Sequence, residues 1–132
     1  MNLSKILENR ASIDGVFDLQ NLPIDEVIEF YDMPMLYITH DLQGNLYVAL
    51  VIDMENEIET VLLIKEPECC TLQELKDKHS PLTKLLPLVE YIKINKLYIL
   101  YEYMISGTRK VYDITFEELS EDYLPDKSCY LF

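Results

Sequence analysis

The sequence predicts an α+β fold that is mainly antiparallel β, with about six or seven strands in one bent sheet or two packed sheets and roughly two to four short helices. Three observations lead there. Short apolar or alternating runs recur along the chain, separated by Gly, Pro, Asn and Asp turn signals. Ten tyrosines stand against three glycines and no tryptophan, a balance suited to pleated, half-buried surfaces joined by short turns. Two T-x-x-E spacings, Thr71 to Glu74 and Thr115 to Glu118, have the form of a capping box that opens a helix. With 132 residues, 49% of them apolar, the chain is expected to fold as a single domain spanning 1–132.

The elements follow in order. Residues 1–22 form an N-terminal helix and linker: Leu3, Ile6 and Leu7 have helical spacing, and Asp14-Gly15 is a turn signal. Residues 26–65 form an acidic β half. Within it EVIEFY (26–31) alternates as a strand does, Asp32-Met33-Pro34 breaks it, and MLYITH (35–40) is the next strand. Asp41-Leu42-Gln43-Gly44-Asn45 then reads as a hairpin loop, with Gly44 supplying positive φ. LYVALVI (46–52) is uninterrupted apolar, as in a central strand covered on both faces, and TVLLI (60–64) is its hairpin partner. The segment Asp53-Met54-Glu55-Asn56-Glu57-Ile58-Glu59 is thereby placed at the connection.

Residues 71–86 carry short helices, one opened by Thr71 and one bounded by Pro81 and Pro87. Residues 88–132 are read as β-hairpins and a C-terminal helix with a tail. LVEYIKI (88–94) and LYILYEYMI (97–105) are a hairpin candidate about Asn95-Lys96, Ser106-Gly107-Thr108 turns into RKVYDI (109–114), and Thr115 opens a last helix to about Glu121.

Charge is distributed unevenly. The net charge is −13, and residues 11–64 hold no lysine or arginine while carrying eleven acids: Asp14, Asp18, Asp25, Glu26, Glu29, Asp32, Asp41, Asp53, Glu55, Glu57 and Glu59. Nucleic-acid backbones and anionic membranes call for clustered cations, so direct binding to either is not expected. A basic protein surface would be attracted and oriented. A solvated acidic domain, kept apart from its own copies by its charge, would have the same composition. No apolar run reaches the roughly 20 residues of a membrane helix, and the N-terminus lacks the apolar centre of a signal peptide, so a cytoplasmic protein is expected.

The residue patterns that carry chemistry are mostly missing. Aligned as a calcium loop from Asp53, the acidic heptapeptide has Ile58 where glycine is required and Ile64 where a bidentate glutamate is required. If extended, it would put all four of its carboxylates on one face, as a solvated tip, a docking ribbon or an adventitious cation site, in that order. His40, His79 and the three cysteines Cys69, Cys70 and Cys129 show no zinc spacing. Cys70 and His79 would lie on opposite sides of one helix, which argues against a nucleophile pair. The terminal Cys129-Tyr130-Leu131-Phe132 has the outline of a prenylation box, but only Lys127 supports it. Serine-hydrolase, P-loop and dinucleotide motifs are absent. Tyr101 and Tyr103 share a strand face that Tyr98 opposes, which makes them packing residues or, where exposed, interface anchors.

Tyr31-Asp32-Met33-Pro34-Met35-Leu36, followed by Asp41-Leu42-Gln43-Gly44-Asn45-Leu46-Tyr47-Val48-Ala49-Leu50, resembles a family of small uncharacterised bacterial and phage domains. Their pattern is Y-D-x-P-x-L, then D-x-x-G-x-x-Y-[LV]-x-L and an acidic hairpin. The likeness spans about residues 27–75 and implies turn and core chemistry, with no activity attached. The expectation for function is therefore a non-enzymatic acidic interaction module, without cofactor or metal. It would bind and inhibit a basic protein partner, such as a nuclease or other toxin or defence protein, in the manner of an antitoxin, an immunity protein or a phage anti-defence inhibitor. The candidate contacts are Asp53, Glu55, Glu57, Glu59, Glu29, Asp32, Tyr101 and Tyr103. A small carboxylate-based enzyme or ligand-binding domain is the alternative.

Overall fold

Along residues 47–51 and 61–64 every side chain is buried, so this stretch has apolar neighbours on both sides of the backbone. The computed structural model, which describes residues 3–30, 34–65 and 96–119, accounts for this with one antiparallel sheet covered on both faces. Its strands are β1 (Glu26–Phe30), β2 (Pro34–His40), β3 (Leu46–Glu55), β4 (Ile58–Lys65), β5 (Leu97–Tyr103) and β6 (Thr108–Ile114), in the spatial order β1-β2-β3-β4-β5-β6. Among the described residues each strand pairs with the next described strand.

Alternation assigns the two faces. Leu36, Ile38, Val48, Leu50, Leu62, Ile64, Leu97, Ile99 and Ile114 form one core layer, which Leu7 and Leu119 also join. Tyr37, Tyr47, Ala49, Val51, Val61, Leu63, Leu100 and Val111 form the other, covered by Phe17 with Val16, Leu19 and Leu22 against it. The N-terminal segment reaches both layers. The short helix α1 (Leu3–Leu7) lies on the first face, Ile13 N–H then bonds Val111 O on β6 at 2.7 Å, and the chain crosses the second face as a strap. The strap ends where Asp25 N–H bonds Ile38 O at 2.8 Å, just before β1. Phe17 is its anchor, packed edge-on against Tyr47 at 4.8 Å and Tyr98 at 5.7 Å between ring centroids.

Helix is scarcer than the α+β expectation. Past α1, the described residues contain only a 3₁₀ turn at Phe116–Glu118. The Thr115 box forms in part as expected, since Glu118 Oε1 accepts from Thr115 N–H at 3.1 Å. Leu119 is nevertheless extended, with φ −79° and ψ 128°, and buries its side chain in the first core layer, so the turn ends at Glu118. The helices expected within 71–86 lie outside the described residues, as does the strand 88–94. The hairpin expected between that strand and 97–105 has no place on β5, because β4 occupies one edge of β5 and β6 the other. Among the described residues no helix is long and apolar enough to cross a membrane.

Candidate functional site

The acidic heptapeptide is not a loop. β3 continues through Glu55 and β4 begins at Ile58, so only Asn56 and Glu57 turn the chain. Their φ values, 54° and 63°, are the pair of positive angles that a type I′ hairpin turn needs.

Nor do the four carboxylates share a face. The register runs Val51↔Val61 and then Asp53↔Thr60, Met54↔Glu59 and Glu55↔Ile58, so one extra residue, Ile52, bulges on β3. Directly paired residues point the same way. Asp53 and Glu55 therefore lie on the face of Thr60, and Glu59 lies on the opposite face with Met54. Without the bulge, Asp53 would stand across from Glu59. The expectation of a single acidic ribbon fails because a hairpin reverses the chain within it and a bulge resets the alternation before it.

Three acids remain outward at this tip. Glu55 and Glu57 are exposed and Asp53 is partly so, its Oδ1 accepting from Met54 N–H at 2.9 Å. Among the described residues no lysine or arginine pairs with them. The β5–β6 tip lies alongside, fastened by Met104 N–H to Glu57 O at 2.9 Å. Together the two tips expose Met54 (46%), Met104 (49%) and Ile105 (83%). Tyr103 is half-buried with Lys110 Nζ 5.9 Å from its ring centroid, and Tyr101 stacks edge-on with Tyr112 at 5.8 Å. They share a face, as expected, and it is the face of Asp53 and Glu55. Glu29 is carried on β1 where its register with β2 is irregular. Asp32 lies outside the described residues, as do Cys69, Cys70, His79 and Cys129.

On the other face the pairing Met54↔Glu59↔Glu102↔Arg109 lines up four residues from β3, β4, β5 and β6. Arg109 Nη2 lies 2.6 Å from Glu102 Oε1, and Arg109 Nη1 donates to Leu19 O of the strap at 2.9 Å. Glu59 is only 7% exposed and accepts no hydrogen bond from the described residues. Its carboxyl is pushed above the ordinary glutamate value, first by burial and then by the charge of Glu102, with Arg109 opposing. Tyr37 is shifted upward for the same reasons, burial first and then Glu59 and Glu102. Leu22, Ile24, Tyr37, Glu59, Leu100, Glu102 and Arg109 enclose a cavity of about 190 Å³.

A larger depression of about 520 Å³ lies beside the β2–β3 loop, lined by Asp18, His40 and Asp41 among others. Its acids are engaged locally. Asp41 accepts from Gln43 N–H, Asn45 N–H, Asn45 Nδ2 and Tyr47 OH at 2.9 to 3.1 Å. Burial alone would raise the Asp41 pKa, but these bonds outweigh it and hold the carboxyl below its ordinary value. Asp18 accepts from Gln20 and Asn21 N–H, both at 3.2 Å, and His40 Nδ1 is 2.8 Å from Asp25 Oδ2. This is loop-building chemistry, with little left for a ligand.

Sequence reading missed Glu102, Arg109 and Asp41. The first two were legible as charges that the hairpin about Gly107 sets across from each other, with nothing local to join them to Glu59. Asp41 had a local signal, an Asp opening a D-x-x-G-N loop. Comparison with known proteins finds no family model, no curated protein and no solved structure that matches this chain. The resemblance over residues 27–75 accordingly assigns no role to any of these residues.

Proposed function

We propose that the chain is a non-enzymatic acidic module that docks on a basic protein surface through the paired β3–β4 and β5–β6 tips. The observation that carries this reading is the coincidence of three outward acids without cationic partners among the described residues, Asp53, Glu55 and Glu57, with exposed Met104 and Ile105 on the adjoining β5–β6 tip. Anions alone need only water. Anions flanking an exposed apolar patch match the anatomy of an interface, where apolar contact supplies affinity and charge supplies orientation.

The partner class that fits is a protein whose cationic surface handles nucleic acid, because carboxylates at strand spacing can stand in for phosphates. Occupying such a surface would inhibit it, as expected of an antitoxin, immunity protein or phage anti-defence inhibitor. Glu59 has no part in this contact, since it faces the strap.

The test is affinity capture with the wild-type chain and with the D53N/E55Q/E57Q variant, at about 0.05 M and about 0.5 M salt. A basic protein held at low salt, released at high salt and lost with the variant is the expected result. Capture indifferent to the three substitutions would refute the docking surface.

A further inference from the structure

The cavity beneath the strap is a separate feature, on the face opposite Asp53 and Glu55. We propose that it binds a primary ammonium group on a short apolar stem. Its volume of about 190 Å³ falls below the roughly 300 Å³ at which pockets begin to take drug-sized ligands, so the occupant is one head group with a few carbons.

The lining sets the chemistry. Leu22, Ile24, Leu100 and the Tyr37 ring give apolar walls, while Glu59, Glu102 and Arg109 sum to one net negative charge. Arg109 already spends its guanidinium on Glu102 and on Leu19 O. What remains is the Glu59 carboxylate, more than nine-tenths buried, lining the cavity and without a hydrogen bond from the described residues. Its oxygens keep contact with solvent through the cavity mouth, since among the described residues Thr39 Oγ1 is the only buried side-chain polar atom without a partner, so an ammonium entering here would exchange water for a charge-assisted hydrogen bond. Glu102, directly across the strand pair and on the same face, offers a second carboxylate that also lines the cavity. Three tetrahedral N–H donors on a compact ammonium can reach two carboxylates on adjacent strands, whereas a planar guanidinium is built to grip one carboxylate edge. The Glu102 and Arg109 side chains are 21% and 24% exposed, which leaves the cavity a mouth. The bulge at Ile52 belongs to the same design, since it keeps Asp53 off this face and Met54 on it.

Two sources could present this group, a lysine side chain of another protein or a free alkylamine. The experiment titrates the ¹⁵N-labelled full chain at neutral pH and low salt with n-butylamine, with butan-1-ol as the neutral analogue, and with Nα-acetyl-lysine N-methylamide as the protein-like ligand. Expected are saturable shifts at the Glu59, Glu102 and Arg109 amides with a Kd on the order of millimolar, absent with butan-1-ol and weakened about tenfold or more in E59Q. Response to both amines assigns a lysine side chain, and response to butylamine alone assigns a free amine. Ile24 lines the cavity yet is exposed, so I24W should fold normally and also lose binding; it decides the matter if E59Q does not fold. No saturable shift, equal response to the alcohol, or affinity unchanged in a folded variant would overturn the proposal.

Discussion

Introducing a lysine opposite Glu59 tests the register on which both functional readings depend. Met54 pairs directly with Glu59, whereas Asp53 pairs with Thr60 on the other face. Met54→Lys should therefore form a cross-strand ion pair with Glu59. Such pairs contribute about 0.2–1 kcal/mol, and the upper end applies because Glu59 is buried and has no hydrogen bond from the described residues. Lysine at position 53 would have to act through the sheet, at roughly 10 Å and about one Debye length in 0.1 M salt, which leaves a few tenths of a kcal/mol at most. Urea unfolding of wild type, M54K, E59Q and M54K/E59Q gives the coupling energy, and a second cycle repeats it with D53K. The expected couplings are about 1 kcal/mol for position 54 and near zero for position 53. Equal couplings, or the larger one at 53, would show that the Ile52 bulge is absent and that the four acids alternate on one ribbon after all.

Three further outcomes follow from the same geometry. Asp41→Ala removes the acceptor for four donors, two of them backbone N–H groups of its own loop, and should cost about 2–4 kcal/mol in urea unfolding. Because the Asp41 pKa is depressed in the fold, its contribution is present above the unfolded carboxylate pKa, and the gap between wild type and D41A should close as pH falls through the folded value. Glu59 has the opposite sign: its folded pKa is raised, so wild-type stability should decline as pH rises from the unfolded glutamate value through the folded one. Thermal melts should accordingly show E59Q gaining on wild type across that window and keeping the gain at neutral pH. Glu57→Gly relieves a non-glycine residue at φ 63° and should stabilise the hairpin by about 1 kcal/mol, a rise in melting temperature of about 3–5 °C for a chain of this size, while removing one of the three acids proposed for docking.

What could be read in the sequence was what local chemistry decides. Asp41 to Asn45 announces its hairpin because Gly44, at φ 87°, and the acceptor Asp41 act within five residues. LYVALVI announces a two-faced central strand because every one of its side chains must find an apolar neighbour. The turn at Asn56-Glu57 was hidden because glutamate rarely takes positive φ, so nothing local marked where β3 ended. The last helix was overestimated for a related reason: the capping box at Thr115 was present, but burying Leu119 in the core favoured an extended residue over a second helical turn.

The buried row was beyond local reading for a different reason. Glu102 and Arg109 could be paired from sequence, since the hairpin about Gly107 sets them across from each other. Glu59 joins them only when β4 meets β5 across the long segment 66–96, and its face is settled only by a bulge that no composition rule predicts. Four alternating acids look alike on paper, yet the pairing sends one inward, against a second glutamate and a guanidinium, and leaves three facing solvent beside exposed Met104 and Ile105. The two proposals divide along the same line: the outward three acids are placed to attract a partner at a distance through water and salt, while Glu59 is placed to act only on a group small enough to reach it.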